Sequence, residues 1–212
     1  MRFKSYWYKF ILDFIVAIFL IVLLCPIYIL ISIIIKITSR GRVFYLGERA
    51  GRYGKNFKIF KFRTMVENAD QIGGFSTAKN DHRLTKVGKW LRKYKLDELP
   101  QLFNVILGDM SIVGPRPQVL FYTSKYSGEE SIILSARPGI TDLASLYFID
   151  MDSVLGETNV DDKYYLEIEP IKNLLRIRYV RECSISLDLR IIIETIFGLF
   201  GIHNITKLNI KF

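Results

Sequence analysis

The chain is poor in the two residue types that most often build metal centres and covalent cross-links. Its 212 residues include two cysteines and two histidines. Cys25 lies inside a long apolar run and Cys183 far from it, so a disulfide framework is not expected and a reducing compartment is favoured. His82 and His203 lack the neighbours that a histidine-rich metal site or a Ser-His-Asp triad needs, which argues against both.

The sequence also lacks the motifs of common nucleotide and nucleic-acid binders. It has no G-x-G-x-x-G fingerprint, no G-x-x-x-x-G-K loop, no zinc-finger spacing and no recognisable RNA-binding motif. The formal net charge is nevertheless +9, so an anionic partner is expected. Because many basic residues lie beside an apolar segment, we expect an anionic lipid bilayer and no nucleic acid, with about 1 kcal/mol for each cation near the membrane surface.

One uncharged apolar run dominates the N-terminal part of the chain. From Phe14 to Ile35 there is no charge over about 22 residues, which is long enough to cross a bilayer as a helix. The run is too long for a signal-peptide core, and no small-residue cleavage site follows it. The remaining alternative is a buried core helix.

A proline at the centre of the run favours a particular placement in the membrane. Pro26 removes a helical hydrogen bond, so a kink is expected at Cys25-Pro26. Basic residues on both flanks disfavour a straight span, whereas a re-entrant helix returns both flanks to the cytoplasmic face. We predict a membrane-anchoring re-entrant helix in residues 1–38 and a domain at the cytoplasmic face in residues 39–212. The flanking cations are Arg2, Lys4 and Lys9 before the run and Lys36, Arg40, Arg42, Arg49 and Arg52 after it.

A short β-hairpin is predicted directly after the anchor. Val43–Leu46 and Phe57–Phe62 flank a glycine-rich stretch, and the second run alternates apolar and basic residues as a half-exposed strand does. This alternation places Lys58 and Lys61 on opposite faces, with Arg63 on the Lys61 face.

The rest of the chain is predicted to be mostly helical, so the fold class is α+β. The segment Val87–Tyr94 has the pattern of a basic amphipathic helix. Leu187–Phe200 is so apolar that it is either a core helix or an interfacial helix lying on the membrane. Glu67–Arg83 is predicted to be a polar loop and Arg137–Gly139 a turn. Further helices are predicted at Asp97–Leu107, Gln118–Tyr126, Glu129–Ala136 and Tyr164–Tyr179.

Charged residues concentrate at one predicted helix start. Pro100 is tolerated only in the first turn of a helix, which places Asp97 at or near the N-cap. The plain alternative is that Asp97 only caps the helix. However, Pro100 lacks one of the amide donors that a cap uses. Glu98 adds a second carboxylate suited to a divalent cation, and Arg92 lies close by in sequence, so the group fits phosphoryl transfer.

A second motif holds an arginine between two prolines. In Gly108–Pro117, Arg116 stands between Pro115 and Pro117, which stiffen the loop. A guanidinium held in this way loses little entropy when it binds a phosphate with two hydrogen bonds. The alternative is a structural arginine in a proline-rich turn.

Taken together, these motifs resemble the bacterial sugar transferases, monotopic phosphoglycosyl transferases that begin glycan assembly on a lipid carrier. The matching stretches run from the anchor to near the end of the chain. They are Phe60–Met65, Arg83–Gly88, Leu96–Leu102, Gly108–Pro117, Arg137–Thr141 and Ser186–Arg190.

The resemblance implies roles for individual residues. It implies a membrane helix broken at Cys25-Pro26, Asp97 as covalent nucleophile, and Glu98 as its catalytic partner. It also implies Mg²⁺, with Asp97 and Glu98 as the candidate ligands. The residues implied to bind substrate or phosphate are Arg92, Arg116, Lys61, Arg63, Pro115, Pro117, Gln101 and Arg137.

The implied reaction transfers a phosphosugar from a UDP-sugar to polyprenol (undecaprenyl) phosphate and releases UMP. The implied location is the cytoplasmic face of the bacterial inner membrane, where the product would start a surface glycan and pass to downstream glycosyltransferases. Asp142–Ser145 replace the Gly-Trp-Ala-Gln that many members carry, so the sugar preference cannot be transferred. The alternatives are a non-enzymatic, polybasic membrane-anchored module that binds anionic lipid, and direct transfer without a covalent intermediate.

Overall fold

The computed structural model describes residues 8–69, 81–148, 160–199 and 201. The order of elements confirms a mostly helical α+β fold with two small sheets. In chain order the elements are α1 (Lys9–Thr38), β1 (Phe44–Ala50), β2 (Asn56–Phe62), α2 (Lys86–Lys93), α3 (Gln101–Ile106), β3 (Ser111–Val113), α4 (Leu120–Thr123), β4 (Gly139–Thr141), α5 (Leu143–Tyr147), α6 (Val160–Lys163), α7 (Glu169–Glu182) and α8 (Ile185–Leu199).

Helix α1 is long and apolar and leaves most of its surface uncovered. Within the described part of the chain it is the one helix long and apolar enough to cross a membrane. Phe19, Val22 and Leu23 are exposed by 63%, 69% and 59%. Such a surface is costly in water, so the core-helix alternative is wrong and α1 associates with a membrane.

Pro26 does not interrupt α1. The helix runs for 30 residues with Pro26 inside it, so helical structure does not end at Cys25-Pro26, and the kink expected there stays a prediction. A continuous helix of this length is about 45 Å long. The prediction that the helix is re-entrant is a separate matter, which depends on where its two ends lie.

Both ends of α1 are bound to the same domain. At the N-terminal end the Lys9 ammonium pairs with Asp188 of α8, and Ser111 Oγ donates to Asp13 Oδ2 at 2.7 Å. Within the helix, Tyr28 OH donates to the carbonyl oxygen of Leu99 at 2.6 Å, and at the C-terminal end Arg63 Nη2 donates to Ser39 O at 3.0 Å. The helix therefore lies along the domain and does not project away from it.

The predicted β-hairpin is confirmed, and helix α3 clamps it. Strands β1 and β2 pair antiparallel, and β1 continues beyond the predicted Leu46 to Ala50. Asn104 of α3 is fully buried; its Oδ1 accepts from Phe60 N at 2.9 Å and its Nδ2 donates to Lys58 O at 2.8 Å. These bonds replace ladder bonds on the free edge of β2 and fix α3 against the strand that carries Lys61.

A parallel pair of short strands was not predicted from the sequence. Strands β3 and β4 pair parallel, with Ser111 opposite Gly139 and Val113 opposite Thr141. The prediction of a turn at Arg137–Gly139 is therefore wrong at Gly139, where β4 begins. Three-residue strands are too short to show alternation, which is why the pattern did not reveal them.

The remaining predicted helices form with altered lengths. The segment predicted at Gln118–Tyr126 contains only α4, and Glu129–Ala136 contains a 3₁₀ helix at Gly128–Ser135. Tyr164–Tyr179 is helical, beginning as a π-helical turn that leads into α7. Most of the predicted loop Glu67–Arg83 lies outside the described residues.

Two further helices expose apolar or aromatic side chains beside basic ones. Helix α2 exposes Trp90 and Tyr94 next to its lysines, the composition of a membrane-interface anchor. Helix α8 buries Ile191 in the core, so the core alternative holds for one face of it. Its other face is apolar and exposed, as the interfacial alternative requires. The exposed large apolar side chains of α8 are Leu189, Ile193, Ile196, Phe197 and Leu199.

Candidate active site

Asp97 lies in a tight turn ahead of α3. Leu96–Glu98 form a 3₁₀ turn, which the chain enters through Lys95 in the left-handed conformation at φ 55°. That conformation costs about 1–2 kcal/mol for a non-glycine residue and is frequent at functional sites. The N-cap residue of α3 is Pro100, without a side-chain cap. The prediction that Asp97 is the N-cap is therefore wrong, and so is the alternative that it only caps a helix.

The Asp97 carboxylate is buried, and one of its oxygens accepts no hydrogen bond from the described residues. The residue is 5% exposed, and its Oδ1 has no hydrogen-bond partner within the described part of the chain. Burial raises the pKa of this carboxyl, and Lys61 opposes the shift. A buried, unpartnered oxygen is costly unless a ligand uses it, so Asp97 is a strong candidate for direct contact with substrate.

Glu98 is held on both oxygens by cations. Arg116 Nη1 donates to Oε2 at 2.9 Å, Arg116 Nη2 donates to Oε1, and Lys61 Nζ donates to Oε1 at 2.9 Å. Burial alone would raise the pKa of Glu98, but Arg116 and Lys61 outweigh it and hold that pKa well below its usual range. Glu98 is therefore ionised at neutral pH and fixes both cations beside Asp97.

Helix α2 adds another cation to the group. Gly88 lets α2 pack closely on the end of the hairpin, because a Cβ there would lie 1.8 Å from the Thr64 carbonyl oxygen. This packing lets Arg92 Nε donate to Thr64 Oγ1 at 3.2 Å. Arg92 and Lys95 both act electrostatically on Asp97. With Lys61 and Arg116, four cations face two carboxylates, and this surplus of positive charge suits a diphosphate.

The Pro115-Arg116-Pro117 loop is anchored by strand β4. Gly139 N donates to Pro115 O at 3.0 Å, and Arg116 Nη1 also donates to Ile140 O at 3.3 Å. Both prolines are buried, while Arg116 is partly exposed and reaches Glu98. Beside the loop, Pro115, Arg116 and Pro117 help line a shallow surface depression.

Gln101 lies one helical turn after Asp97. It is fully buried, and neither Oε1 nor Nε2 has a partner among the described residues. Its free donor and acceptor fit the predicted substrate contact.

Two predicted phosphate-binding arginines are engaged elsewhere. Arg63 Nη2 donates to Ser39 O at 3.0 Å and to Ser39 Oγ at 2.6 Å, at the C-terminal end of α1. Arg137 lies over the ring of Phe10, with 4.7 Å from its guanidinium carbon to the ring centre. Both side chains serve to hold α1, and the structure does not bring them into the Asp97 group.

The carboxylates fit a magnesium ion that arrives with a substrate. Among the described residues, no three His, Cys, Asp or Glu side chains converge on a preformed metal site. Mg²⁺ commonly uses one or two carboxylates together with substrate phosphates and water. The unpartnered Oδ1 of Asp97 fits this pattern, whereas both Glu98 oxygens are already engaged by Arg116 and Lys61.

Two residues that build the site were missed in the sequence. Asn104 ties α3 to β2, and Asp142 accepts from the backbone amide of Arg116 at 3.0 Å. Both are fully buried polar residues. Their only signal was a polar side chain inside an apolar segment, which does not say what it contacts.

The structure as a whole is a membrane-associated α+β domain with a buried Asp-Glu pair among cations. The model of the bacterial sugar transferase family matches residues 4–201 of the chain. The chain belongs to this family, and the resemblance seen in its motifs is thereby confirmed.

Several relatives share 33–42% identity with the chain. The UDP-glucose:undecaprenyl-phosphate glucose-1-phosphate transferase of Klebsiella pneumoniae is 42% identical over 190 residues, 87% of this chain and 38% of the relative. A UDP-N-acetylgalactosamine-undecaprenyl-phosphate N-acetylgalactosaminephosphotransferase of Aeromonas hydrophila is 33% identical over 191 residues, which are 87% of this chain and 42% of the relative. The exopolysaccharide production protein ExoY of Sinorhizobium fredii is 35% identical over 199 residues, which are 87% of this chain and 81% of the relative. The chain thus spans about two fifths of the length of the first two.

Proposed function

We propose that the chain transfers a sugar 1-phosphate from a UDP-sugar to undecaprenyl phosphate and releases UMP. One observation carries the proposal: a buried carboxylate, Asp97, keeps an unpartnered oxygen among four cations in a domain docked on an apolar helix. A non-enzymatic lipid-binding module has no use for a buried oxygen of this kind. The names of the similar transferases point to the same reaction.

The proposed chemistry consists of two displacements at phosphorus. Oδ1 of Asp97 attacks the sugar-linked phosphorus, the bond to the bridging diphosphate oxygen breaks, and UMP leaves with that oxygen. An oxygen of undecaprenyl phosphate then attacks the same phosphorus and frees the carboxylate, giving the undecaprenyl diphosphate sugar. Splitting the transfer avoids a direct meeting of two anionic substrates.

The surrounding cations have defined roles in this scheme. Arg116 and Lys61, held by Glu98, stabilise charge that develops on the diphosphate, and Arg92 does so from α2. They are already in place, so little reorganisation is needed during the reaction. Mg²⁺ bound by Asp97 would supply further neutralisation of the diphosphate charge.

The anchor explains the choice of a lipid acceptor. Helix α1, α2 and α8 all present exposed apolar or aromatic side chains, so the site is held at a bilayer where undecaprenyl phosphate resides. A bacterial inner membrane, with the domain at the cytoplasmic face, supplies both this lipid and UDP-sugars. The two relatives named for a sugar use different ones, glucose and N-acetylgalactosamine, so the sugar is left open.

A re-entrant α1 is the topology that the contacts favour. A straight span carries one helix end across about 30 Å of hydrocarbon, away from a domain on the other side. Here Lys9 and Ser39, at the two ends, are both bonded to the domain. Since Pro26 does not interrupt the helix, the return to one face requires a bend within α1 or a shallow placement of it.

Cysteine labelling tests this topology. Single cysteines replace Ser5, which lies outside the described residues, and the exposed Arg40, in a background without Cys25 and Cys183. We expect both to resist a membrane-impermeant thiol reagent in intact spheroplasts and to react after lysis, because both flanks lie in the cytoplasm. Labelling of position 5 from outside would show that α1 spans the membrane.

The geometry of the guanidinium makes Arg116→Lys damaging although charge is retained. Arg116 uses two nitrogens on the Glu98 carboxylate and one of them also on Ile140 O. Lysine cannot form this planar double contact, so we expect kcat/KM for the UDP-sugar to fall about 10- to 100-fold. Steady-state UMP release measures this change in kcat/KM. Lys93→Arg, an exposed change on α2, is the control; equal loss in both variants would contradict a geometric role.

Release of UMP tests the proposed function itself. Detergent-solubilised protein is incubated with undecaprenyl phosphate, Mg²⁺ and each of a panel of UDP-sugars that includes UDP-glucose and UDP-N-acetylgalactosamine. We expect acceptor-dependent UMP formation with at least one donor. Absence of UMP with every donor, from protein whose thermal unfolding shows it to be folded, would favour the lipid-binding module.

A further inference from the structure

A fully buried carboxylate holds the backbone of the Pro115-Arg116-Pro117 loop. Asp142 directly follows β4 and is 0% exposed. Its Oδ2 accepts from Arg116 N at 3.0 Å, and its Oδ1 accepts from Ser145 N at 2.7 Å, which caps α5. One side chain therefore fixes the start of a helix and the loop that carries Arg116.

The bond to Arg116 occupies the one backbone donor that the loop tripeptide has. Proline has no N–H, so Arg116 carries the single amide hydrogen of Pro115–Pro117. Two further backbone bonds hold the loop, from Gly114 N to Thr141 O at 3.1 Å and from Gly139 N to Pro115 O at 3.0 Å. Asp142 holds the backbone amide of Arg116, the residue whose guanidinium binds Glu98.

Asp142 also interacts with basic residues of α7. Two buried basic side chains, Lys172 and Arg176, interact electrostatically with it. Each residue is less than 10% exposed. Hydrogen bonds from two backbone amides hold this buried carboxylate in one place, which a positioning group requires.

We propose that Asp142 is a positioning residue that sets the place of Arg116 against Glu98 and the donor diphosphate. The inference rests on the proposed function for its catalytic consequence. The effect of Asp142 on the reaction passes through Arg116, and Asp142 itself need not touch substrate.

The substitution Asp142→Ser is designed to remove the hydrogen bond from Arg116 N and to keep the one from Ser145 N. Serine is a good N-cap and still accepts from Ser145 N, but its short side chain cannot also reach Arg116 N. The second variant, Asp142→Asn, has one acceptor oxygen in place of two and keeps the size of the side chain. For D142S we expect thermal unfolding close to wild type and a fall of about 10- to 100-fold in kcat/KM for UDP-glucose or UDP-N-acetylgalactosamine, whichever is turned over.

A double-mutant cycle with R116K distinguishes positioning from general damage. If Asp142 acts through Arg116, R116K lowers kcat/KM by a smaller factor in the D142S background than in wild type. The same factor in both backgrounds would overturn the proposal, as would wild-type kinetics in both D142S and D142N.

Hydrogen exchange provides a readout that does not depend on activity. The Arg116 amide is the only exchangeable backbone hydrogen of the tripeptide, and we expect it to exchange faster in D142S than in wild type while the α5 amides keep their protection. Unchanged exchange at Arg116 would overturn the inference. If wild type releases no UMP from any donor, the proposed function fails, while exchange still decides whether Asp142 holds the loop.

Discussion

Replacing Asp97 with Asn is expected to abolish transfer and the covalent adduct, lowering turnover by at least about 10⁴-fold. The amide keeps the size of the side chain but cannot attack phosphorus. Acceptor-dependent UMP release measures turnover, and intact-protein mass spectrometry after a pulse of UDP-sugar measures the phosphosugar adduct. Turnover near the wild-type level in Asp97→Asn would mean that another group, or no group, forms the covalent bond.

The fold should survive this change. Asp97 caps no helix, and its Oδ1 has no partner to lose within the described part of the chain. Burial already disfavours the charged form and raises the pKa of Asp97, so a neutral amide should leave thermal stability equal or higher. Asp162→Asn, at an exposed position on α6, is the matched control and should retain activity.

Glu98→Gln is the second change with a large expected effect. The neutral amide leaves Lys61 and Arg116 without their shared counter-charge, in a site where Glu98 keeps 12% of its side chain exposed. We expect turnover to fall by about 100-fold or more and the free energy of unfolding to fall by up to about 3–5 kcal/mol. UMP release and denaturant unfolding in detergent measure the two effects.

A surface ion pair supplies the control for Glu98. Glu182 pairs with Arg178 one turn away on α7, with 52% of the glutamate side chain exposed. Glu182→Gln should change stability by less than about 0.5 kcal/mol and leave turnover intact. Equal, small effects in Glu98→Gln would show that the Arg116 and Lys61 contacts do not organise the site.

The sequence predicted those parts of the fold that depend on local pattern. The uncharged run indicated α1, and alternation in Phe57–Phe62 indicated the hairpin, because both signals lie within one element. Pro26 does not end the helix, since a proline removes one hydrogen bond and a long helix can continue through it. The parallel pairing of β3 with β4 depends on residues nearly thirty positions apart and leaves no periodic signal.

Site residues were predictable where they lie in short sequence motifs rich in charged residues. Asp97, Glu98, Lys61 and Arg116 do come together. Arg63 was placed by alternation on the Lys61 face, but β2 ends at Phe62, so the alternation no longer applies there. Its guanidinium turns instead to the end of α1, a direction that only the tertiary structure decides.

The residues that support the site could not be found in the same way. Asn104 and Asp142 act through backbone groups of distant segments, Phe60 N and Arg116 N. Any Asn or Asp could make such bonds, and the sequence does not identify the partner. Motifs therefore indicated which groups react, while the packing of α3 and β4 determined how those groups are held.

The most direct test of the account is isotope exchange without acceptor. Solubilised protein is incubated with a UDP-sugar, Mg²⁺ and radiolabelled UMP, and label in the UDP-sugar is measured. A covalent phosphosugar on Asp97 predicts that wild type incorporates label in the absence of undecaprenyl phosphate and that Asp97→Asn incorporates none. Rapid transfer with acceptor, combined with no exchange in its absence, would contradict the covalent intermediate and establish one-step transfer.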